Sequence, residues 1–265
     1  GNWESIVSTI IKNSKYFFPL IGAVLDGTQD GYVLAEAGVK HSSIFVVHKF
    51  GFSQYIELSK NDNKTFLNIL IESLNDKSVN KIINIKKLRV YYSGKNFTNK
   101  LYNINEELIE STKRTRLILT TKDKKLHNVE DKRYIFTKLT KDNITLVNEE
   151  LKLDLCNRFW SNCNECVNKS FGMILKSKDN KDVIGICYSA SVSNSCAEID
   201  IFINEKYRKL GYSYQVLNAF LFELSQNNIK ALWDCYSNNS ASLNLALNSH
   251  FEIQYEYDFH IISLY

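Results

Sequence analysis

The segment AEIDIFINEKYRKLGYSYQV (197–216) constrains this chain more than any other. Apolar Ile199, Ile201 and Ile203 alternate with polar or differently facing neighbours, the period of a strand with one buried face. A basic turn with a single glycine follows. The period then changes: from Gly211 to about Asn227, Leu217, Phe220, Leu221 and Leu224 fall on one helical stripe. A strand that passes through a short turn into a long amphipathic helix requires a sheet with a helix packed on it.

The flanking sequence extends this pattern. RYIFTKLT (133–140) reads as a strand, and NITLVNEELKLDLCNRFW (143–160) as helical in its later part. SFGMILKS (170–177) and DVIGICYSASVS (182–193) form a hairpin around KDNKD, and CAEIDIFI (196–203) is the next strand. After the helix come a strand ALWDCY (231–236), a helix SASLNLALNS (240–249) and a closing strand FEIQYEYDFHIISL (251–264). The order β-α-β-β-β-α-β-α-β implies an α/β fold with a mixed sheet and helices on its faces.

The N-terminal half reads as a smaller mixed α/β layer. It has a helix over 3–25, strands over 31–38 and 42–58, and a helix over 63–76. Strands over 82–92 and 115–121 are joined by a helix near 103–112. The charged, aperiodic KDKKLHNVEDK (122–132) separates two expected domains, 1–130 and 131–265. His41 and His48 have no partners at metal-ligand spacing, and no catalytic motif is evident in this half.

The turn at 207–213 carries the chemistry. A helix that opens after a glycine presents unpaired backbone N–H groups and its positive dipole end to one point, which suits a pyrophosphate. Arg208 and Lys209 add charge, and Gly211 permits close approach to the backbone. The pattern is neither a Walker loop nor GxGxxG. Further on, Asn239-x-x-Ser242-x-x-Leu245-Ala246 leads to His250-Phe251.

Together these residues resemble the acyl-CoA core of the GNAT superfamily of N-acetyltransferases. The family signature, R/Q-x-x-G-x-G/A after a bulged strand, reads here Arg208-x-x-Gly211-x-Ser213. EIDIF…YRKLG, WDC, N-x-x-S-x-x-LA, WSN (160–162) and SFG (170–172) are similar to the zwittermicin A resistance-type branch. The match covers about residues 158–251. The resemblance implies that strands 197–203 and 231–236 are parallel and splay, with the pantetheine arm paired to the backbone of Ile201, Phe202 and Ile203. The pyrophosphate would rest on Lys209, Leu210, Gly211, Tyr212, Ser213 and Tyr214, beside Arg208. Asn239 and Ser242 would complete the cofactor site, although Asn239 is equally suited to capping the next helix.

The implied activity is N-acyl transfer: direct attack of a primary amine, from a small molecule or peptide, on acetyl-CoA or another acyl-CoA. Such a reaction needs a proton acceptor and a donor for the leaving thiolate. Glu198 and Asp200 share one strand face; Glu198 is the first candidate for base or ammonium anchor, and Asp200 the second. Glu198 is equally suited to a structural role. The family's usual tyrosine acid is replaced by Ala246, leaving Tyr236, Ser237 or Tyr214 as donors. Because that tyrosine is absent, a non-catalytic acyl-CoA sensor or scaffold is the alternative reading. Resistance to, or tailoring of, a natural product fits the branch by analogy.

Composition adds boundaries. No run of about 18 apolar residues is present, so no membrane span is expected; no signal peptide is evident, and the cytoplasm is the expected location. Residues 81–133 carry 14 Lys/Arg against 6 Asp/Glu, which reads as a solvated basic face, with nucleic acid a minor alternative. Cys163 and Cys166 form a CxxC without a second ligand pair, so no metal is expected. The six cysteines read as reduced packing residues. Neither a monomer nor a homodimer is indicated over the other.

Overall fold

The computed structural model describes residues 14–37, 42–59, 64–120 and 131–265. The start of the expected helix 3–25, the end of strand 31–38, His41 and most of the expected boundary segment 122–132 lie outside the described residues. Strands are numbered β1 (Gly31–Leu34), β2 (Ser43–His48), β3 (Phe52–Glu57), β4 (Lys87–Val90), β5 (Ile109–Leu119) and β6 (Tyr134–Lys138). They continue as β7 (Gly172–Ser177), β8 (Val183–Ser193), β9 (Cys196–Ile203), β10 (Lys230–Tyr236) and β11 (Phe251–Ser263). The helices of seven or more residues are α1 (Pro19–Leu25), α2 (Thr65–Asn75), α3 (Gly94–Lys100), α4 (Ile144–Leu151), α5 (Cys163–Lys169), α6 (Tyr212–Gln226) and α7 (Ser240–Asn248).

The chain forms two compact units. One holds the described residues up to Arg114 together with Tyr257–Tyr265, and the other holds Thr115–Glu256. The division falls at Arg114/Thr115 and Glu256/Tyr257, whereas the sequence pattern placed one boundary at 130/131.

In the first unit the strand order is β1-β2-β3-β4-β11. All neighbours are antiparallel except β3 and β4, which run parallel through Phe52↔Arg89 and Ser53↔Val90. Leu67, Leu70 and Leu74 of α2 pack with Phe45, Val47 and Leu88 in one buried cluster. The stretch 42–58 is a hairpin rather than one strand. Gly51 (φ +96°) makes the turn, and a Cβ there would lie 2.3 Å from the Lys87 carbonyl oxygen. The expected helix near 103–112 is reduced to a single 3-10 turn, Glu106–Leu108, and the β-branched Ile109, Thr112, Thr115 and Ile118 run on as β5. The basic stretch works partly inside the fold. Arg89 donates to the Phe50 carbonyl (3.0 Å) and lies over the Phe50 ring, and Arg114 lies over Phe259.

The second unit has the order β6-β7-β8-β9-β10-β5. β6 to β9 form an antiparallel meander, and β9 and β10 are parallel. Val216, Leu217, Phe220, Leu221 and Leu224 of α6 are buried in a cluster with Met173, Leu175, Cys187 and Ile203 of the sheet. The expected α/β class and C-terminal element order are observed, with two changes. The segment 143–160 holds two helices: Ile144–Leu151 in its earlier part, ended by Lys152 in the left-handed conformation, and the expected later one as a single turn, Leu155–Arg158. α5 was missed because CNECVNK buries only Cys166 and so lacks an apolar stripe.

The cysteines depart from the expected reduced set: Cys156 and Cys163 form a disulfide. Cys166, Cys187, Cys196 and Cys235 are free. Among the described residues no helix is long and apolar enough to cross a membrane, and no group of three His, Cys, Asp or Glu is arranged for a metal ion.

Gly185 on β8 faces the end of β9: a Cβ there would sit 2.7 Å from the Phe202 carbonyl oxygen and 2.5 Å from Ile203 Cδ1. Gly185→Ala is therefore expected to cost about 1–3 kcal/mol through forced strand displacement. Urea unfolding measures this; an unchanged midpoint would contradict the packing described.

Candidate active site

Strands β9 and β10 are paired only over Lys230↔Cys196, Ala231↔Ala197 and Leu232↔Glu198. Beyond that point Ile199–Ile203 and Trp233–Tyr236 continue as strands without a shared register, which opens a fork in the sheet. A bulge marks the crotch. Ser189 pairs with Ile199 and Ser191 with Glu198, so Ala190 is the extra residue, and it lies on β8 rather than on β9. A bulge increases local twist, which turns the end of β9 away from β10.

A cavity of about 600 Å³ occupies the fork and the adjacent start of α6. Its walls include Ile201 and Ile203 from β9, Arg208, Lys209, Gly211, Tyr212, Ser213 and Tyr214 from the turn, and Asn239 and Ser242 from α7 and its cap. These are ten of the twelve residues expected to hold the cofactor. Phe202 and Leu210 do not line the cavity: the Phe202 ring lies under the Arg208 guanidinium at 5.5 Å, and Leu210 is exposed to solvent.

The turn leaves the start of α6 open. Gly211 is the N-cap of α6 at φ +85°, and no side chain caps the helix, so the first-turn N–H groups point out unsatisfied. A Cβ on Gly211 would meet nothing within 4 Å, so glycine serves the backbone angle and an open approach. Lys209 also has positive φ, at 62°. Arg208 Nε donates to the Ile203 carbonyl (3.1 Å), fixing its exposed guanidinium across the end of β9. Asn239 does cap α7, its Oδ1 accepting from Ser242 N at 3.1 Å. Trp233 Nε1 donates to Ser242 Oγ at 3.1 Å, which fixes the opposite wall.

The two candidate carboxylates have separate surroundings. Glu198 is buried at the crotch and outside the cavity wall, with Oε2 3.3 Å from Arg116 Nη1. The same guanidinium, through Nε, lies 3.2 Å from Asp234 Oδ2. Asp234 also borders the cavity, and its side chain is fully buried against Arg116. Asp200 lines the cavity: its Oδ2 accepts from Tyr188 OH at 2.5 Å and lies 3.7 Å from Arg158 Nη1. Burial pushes the Tyr188 phenol well above its usual range, and the Asp200 charge adds to this. Tyr188 therefore remains a proton donor to Asp200 at neutral pH.

Among the candidate proton donors, Tyr214 lines the cavity and its OH accepts from Asn248 Nδ2 at 3.1 Å. Tyr236 is half-buried outside the wall, and Ser237 shares a hydrogen bond with Thr115. Ala246 is fully buried in the core. Arg116, Tyr188 and Arg158 were not singled out from sequence. Arg116 sits in the basic run KRTR, and only the apolar LIL that follows hints at burial.

A family model described as GNAT acetyltransferase matches residues 113–260, more than half of the chain, and the protein belongs to that family. The uncharacterized N-acetyltransferase YdfB of Bacillus subtilis (strain 168) is 32% identical over 99 residues, covering 37% of this chain and 37% of that relative's length. A GCN5-related N-acetyltransferase-like protein from Streptococcus suis has a TM-score of 0.70 at 13% identity, covering 98% of this chain and 99% of that one. A tandem GNAT protein from the clavulanic acid biosynthesis pathway has a TM-score of 0.60 at 9% identity, covering 87% and 81%. At such identities the structural likeness is one of fold.

Removing the Arg116 guanidinium leaves two carboxylates buried without their counter-charge. Arg116→Met is expected to destabilise the protein by about 3–5 kcal/mol, read by denaturant unfolding. A loss below about 1 kcal/mol would place these groups in a solvated environment instead.

Proposed function

We propose that the second unit transfers an acyl group, acetyl by default, from acyl-CoA to a primary amine of a small molecule or peptide. The observation that carries this is the β9/β10 fork opening onto the uncapped start of α6, beside Arg208 and Gly211. The pyrophosphate would accept from the N–H groups after Gly211, with Arg208 and Lys209 balancing its charge. The pantetheine arm would enter the fork and use the strand-edge groups of Ile201–Ile203 that β10 leaves unpaired. The thioester carbon is thereby held in the opening.

The amine nitrogen attacks that carbon; the C–N bond forms, the C–S bond breaks, and CoA leaves as a thiolate. Asp200, the carboxylate on the cavity wall, is the better-placed group to hold the ammonium and take up its proton, directly or through water. Glu198, the first choice from sequence, is engaged by Arg116 and acts in our reading as a structural anion. Of the three candidate donors, Tyr214 is the one on the cavity wall and would return a proton to sulfur; Tyr236 and Ser237 are less directly placed. A cytoplasmic location goes with acyl-CoA as co-substrate. The zwittermicin A resistance-type branch rests on the WSN, SFG and WDC segments and remains part of the proposal.

We also assign the first unit as a degenerate counterpart of this fold. It too has a short parallel pair, β3 and β4, followed by a helix that opens at a glycine with positive φ, Gly94. Its opening is smaller, about 370 Å³, with Tyr16, Gln54, Tyr92, Ser93 and Gly94 in its lining, and side chains bridge it. Ser93 Oγ accepts from Tyr55 N at 3.0 Å, and Gln54 Nε2 donates to the carbonyls of Tyr16 (3.2 Å) and Tyr92 (2.9 Å). Before its glycine stand Tyr91 and Tyr92 in place of Arg208 and Lys209, so it lacks the charge for a pyrophosphate, and one acyl-CoA per chain follows.

Titration calorimetry with acetyl-CoA is expected to give one site per chain, with affinity lowered about tenfold or more by Gly211→Asp, which sets a carboxylate against the pyrophosphate. Unchanged affinity would refute the cradle. Asp200→Asn is expected to lower turnover at least about tenfold while acetyl-CoA affinity holds. If Glu198→Gln shows that behaviour and Asp200→Asn does not, the roles are reversed. Binding without turnover on a broad amine panel would favour the sensor.

A further inference from the structure

Asp200 and Arg158 form an open ion pair on the acceptor side of the fork, and its composition bears on what the acceptor is. Cys187 and Ile201 point to the α6 face, into the cluster with Leu217 and Phe220. Tyr188 and Asp200, directly paired across β8 and β9, therefore point to the other face. An acyl-CoA whose pyrophosphate lies at the start of α6 comes from the first face. The amine has to reach the thioester from the second.

On that second face Asp200 keeps 33% of its side-chain surface and Arg158 39%, with Oδ2 and Nη1 3.7 Å apart. Both are held from behind. Tyr188 OH donates to the Asp200 oxygen that faces Arg158. The Arg158 guanidinium lies over the Phe159 ring at 5.1 Å. Its turn, Leu155–Arg158, is tied to α5 by the Cys156–Cys163 disulfide and anchored by the buried Trp160. Two opposite charges are thus set in fixed positions at a solvent-accessible wall, where little reorganisation is needed to receive a ligand.

A simple amine meets an obstacle here. Its ammonium at Asp200 would compete with Arg158 and stand close to a like charge. An acceptor that carries its own anion beside the amine has no such conflict: its ammonium faces Asp200 while its anion faces the guanidinium, completing a four-charge ring on the pair as it stands. An ammonium and a carboxylate on the same carbon match a wall pair only 3.7 Å apart, and guanidinium binds carboxylate with two parallel hydrogen bonds. We infer that the acceptor is an α-amino carboxylate, a free amino acid or a molecule ending in one, with Arg158 as the residue that selects it. This rests on the proposed acyl transfer.

The test uses the purified protein, acetyl-CoA and a panel of free α-amino acids, each paired with its own α-carboxamide, with release of CoA thiol as the readout. At least one acid is expected to be turned over with kcat/KM about 10- to 100-fold above its amide, the range set by one charge-assisted contact. Arg158→Gln is expected to bring that ratio to within about threefold of unity, chiefly through KM of the acid, and Arg158→Lys to restore part of it. A merely structural Arg158 would lower acid and amide turnover alike and leave the ratio unchanged. Amides equal to or better than acids, or no turnover of either set with acetyl-CoA bound in the calorimeter, overturns the acceptor class and leaves the cofactor site standing. No acetyl-CoA binding overturns both.

Discussion

Arg116 holds the sheet together at the point where it begins to come apart. Glu198 is the last residue of β9 in register with β10, and Asp234 lies two residues further along β10. One buried guanidinium engages both, at 3.3 and 3.2 Å. Backbone pairing ends there, so the ion triad takes over the task of fixing how far the strands stand apart. Such a buried cluster contributes less to net stability than to a defined geometry, since desolvation offsets much of its Coulomb attraction. What it defines here is the width of the fork. The Ala190 bulge on β8 supplies the twist that starts the divergence, and Gly185 allows β8 to stay close to the far end of β9.

Everything assigned to function hangs from that opening. The cavity reaches from the Asp200 wall, through the fork, to the turn at Arg208–Gly211. The turn has unsatisfied helix N–H groups, two basic side chains and no Cβ in the way. The far wall has a carboxylate held by a phenol and a guanidinium. A long ligand with an anionic end and a reactive end suits this shape, and membership of the GNAT acetyltransferase family agrees with it. In the first unit the comparable opening is smaller, about 370 Å³, is bridged by Ser93 and Gln54, and has Tyr91 and Tyr92 where the second unit has Arg208 and Lys209 before the glycine.

Much of this was legible in the sequence where one local period decides the structure. The alternation in AEIDIFI, the apolar stripe of α6 and the glycine before it point to β9, the helix and the turn between them. Periodicity failed where conformation depended on partners. The hairpin at Lys49–Gly51 was read as one strand because both arms are apolar. β5 was read partly as a helix because Glu106 to Glu110 mix charged and apolar residues. The carboxylates show the same limit. Glu198 and Asp200 share a strand face in any reading, but which of them meets Arg116 and which meets the cavity depends on a bulge and on β5, both distant in sequence. Tyr188 and Arg158 became visible only with the β8/β9 register and the disulfide-linked turn.

Amide hydrogen exchange, followed by mass spectrometry with and without acetyl-CoA, tests the central claim most directly. The account predicts slowed exchange in two segments, Ile199–Ile203 of the open edge of β9 and Gly211–Gln215 at the start of α6, with β3, β4 and α3 of the first unit unchanged. Bound acetyl-CoA with no protection in either segment, or with protection confined to the first unit, would contradict it.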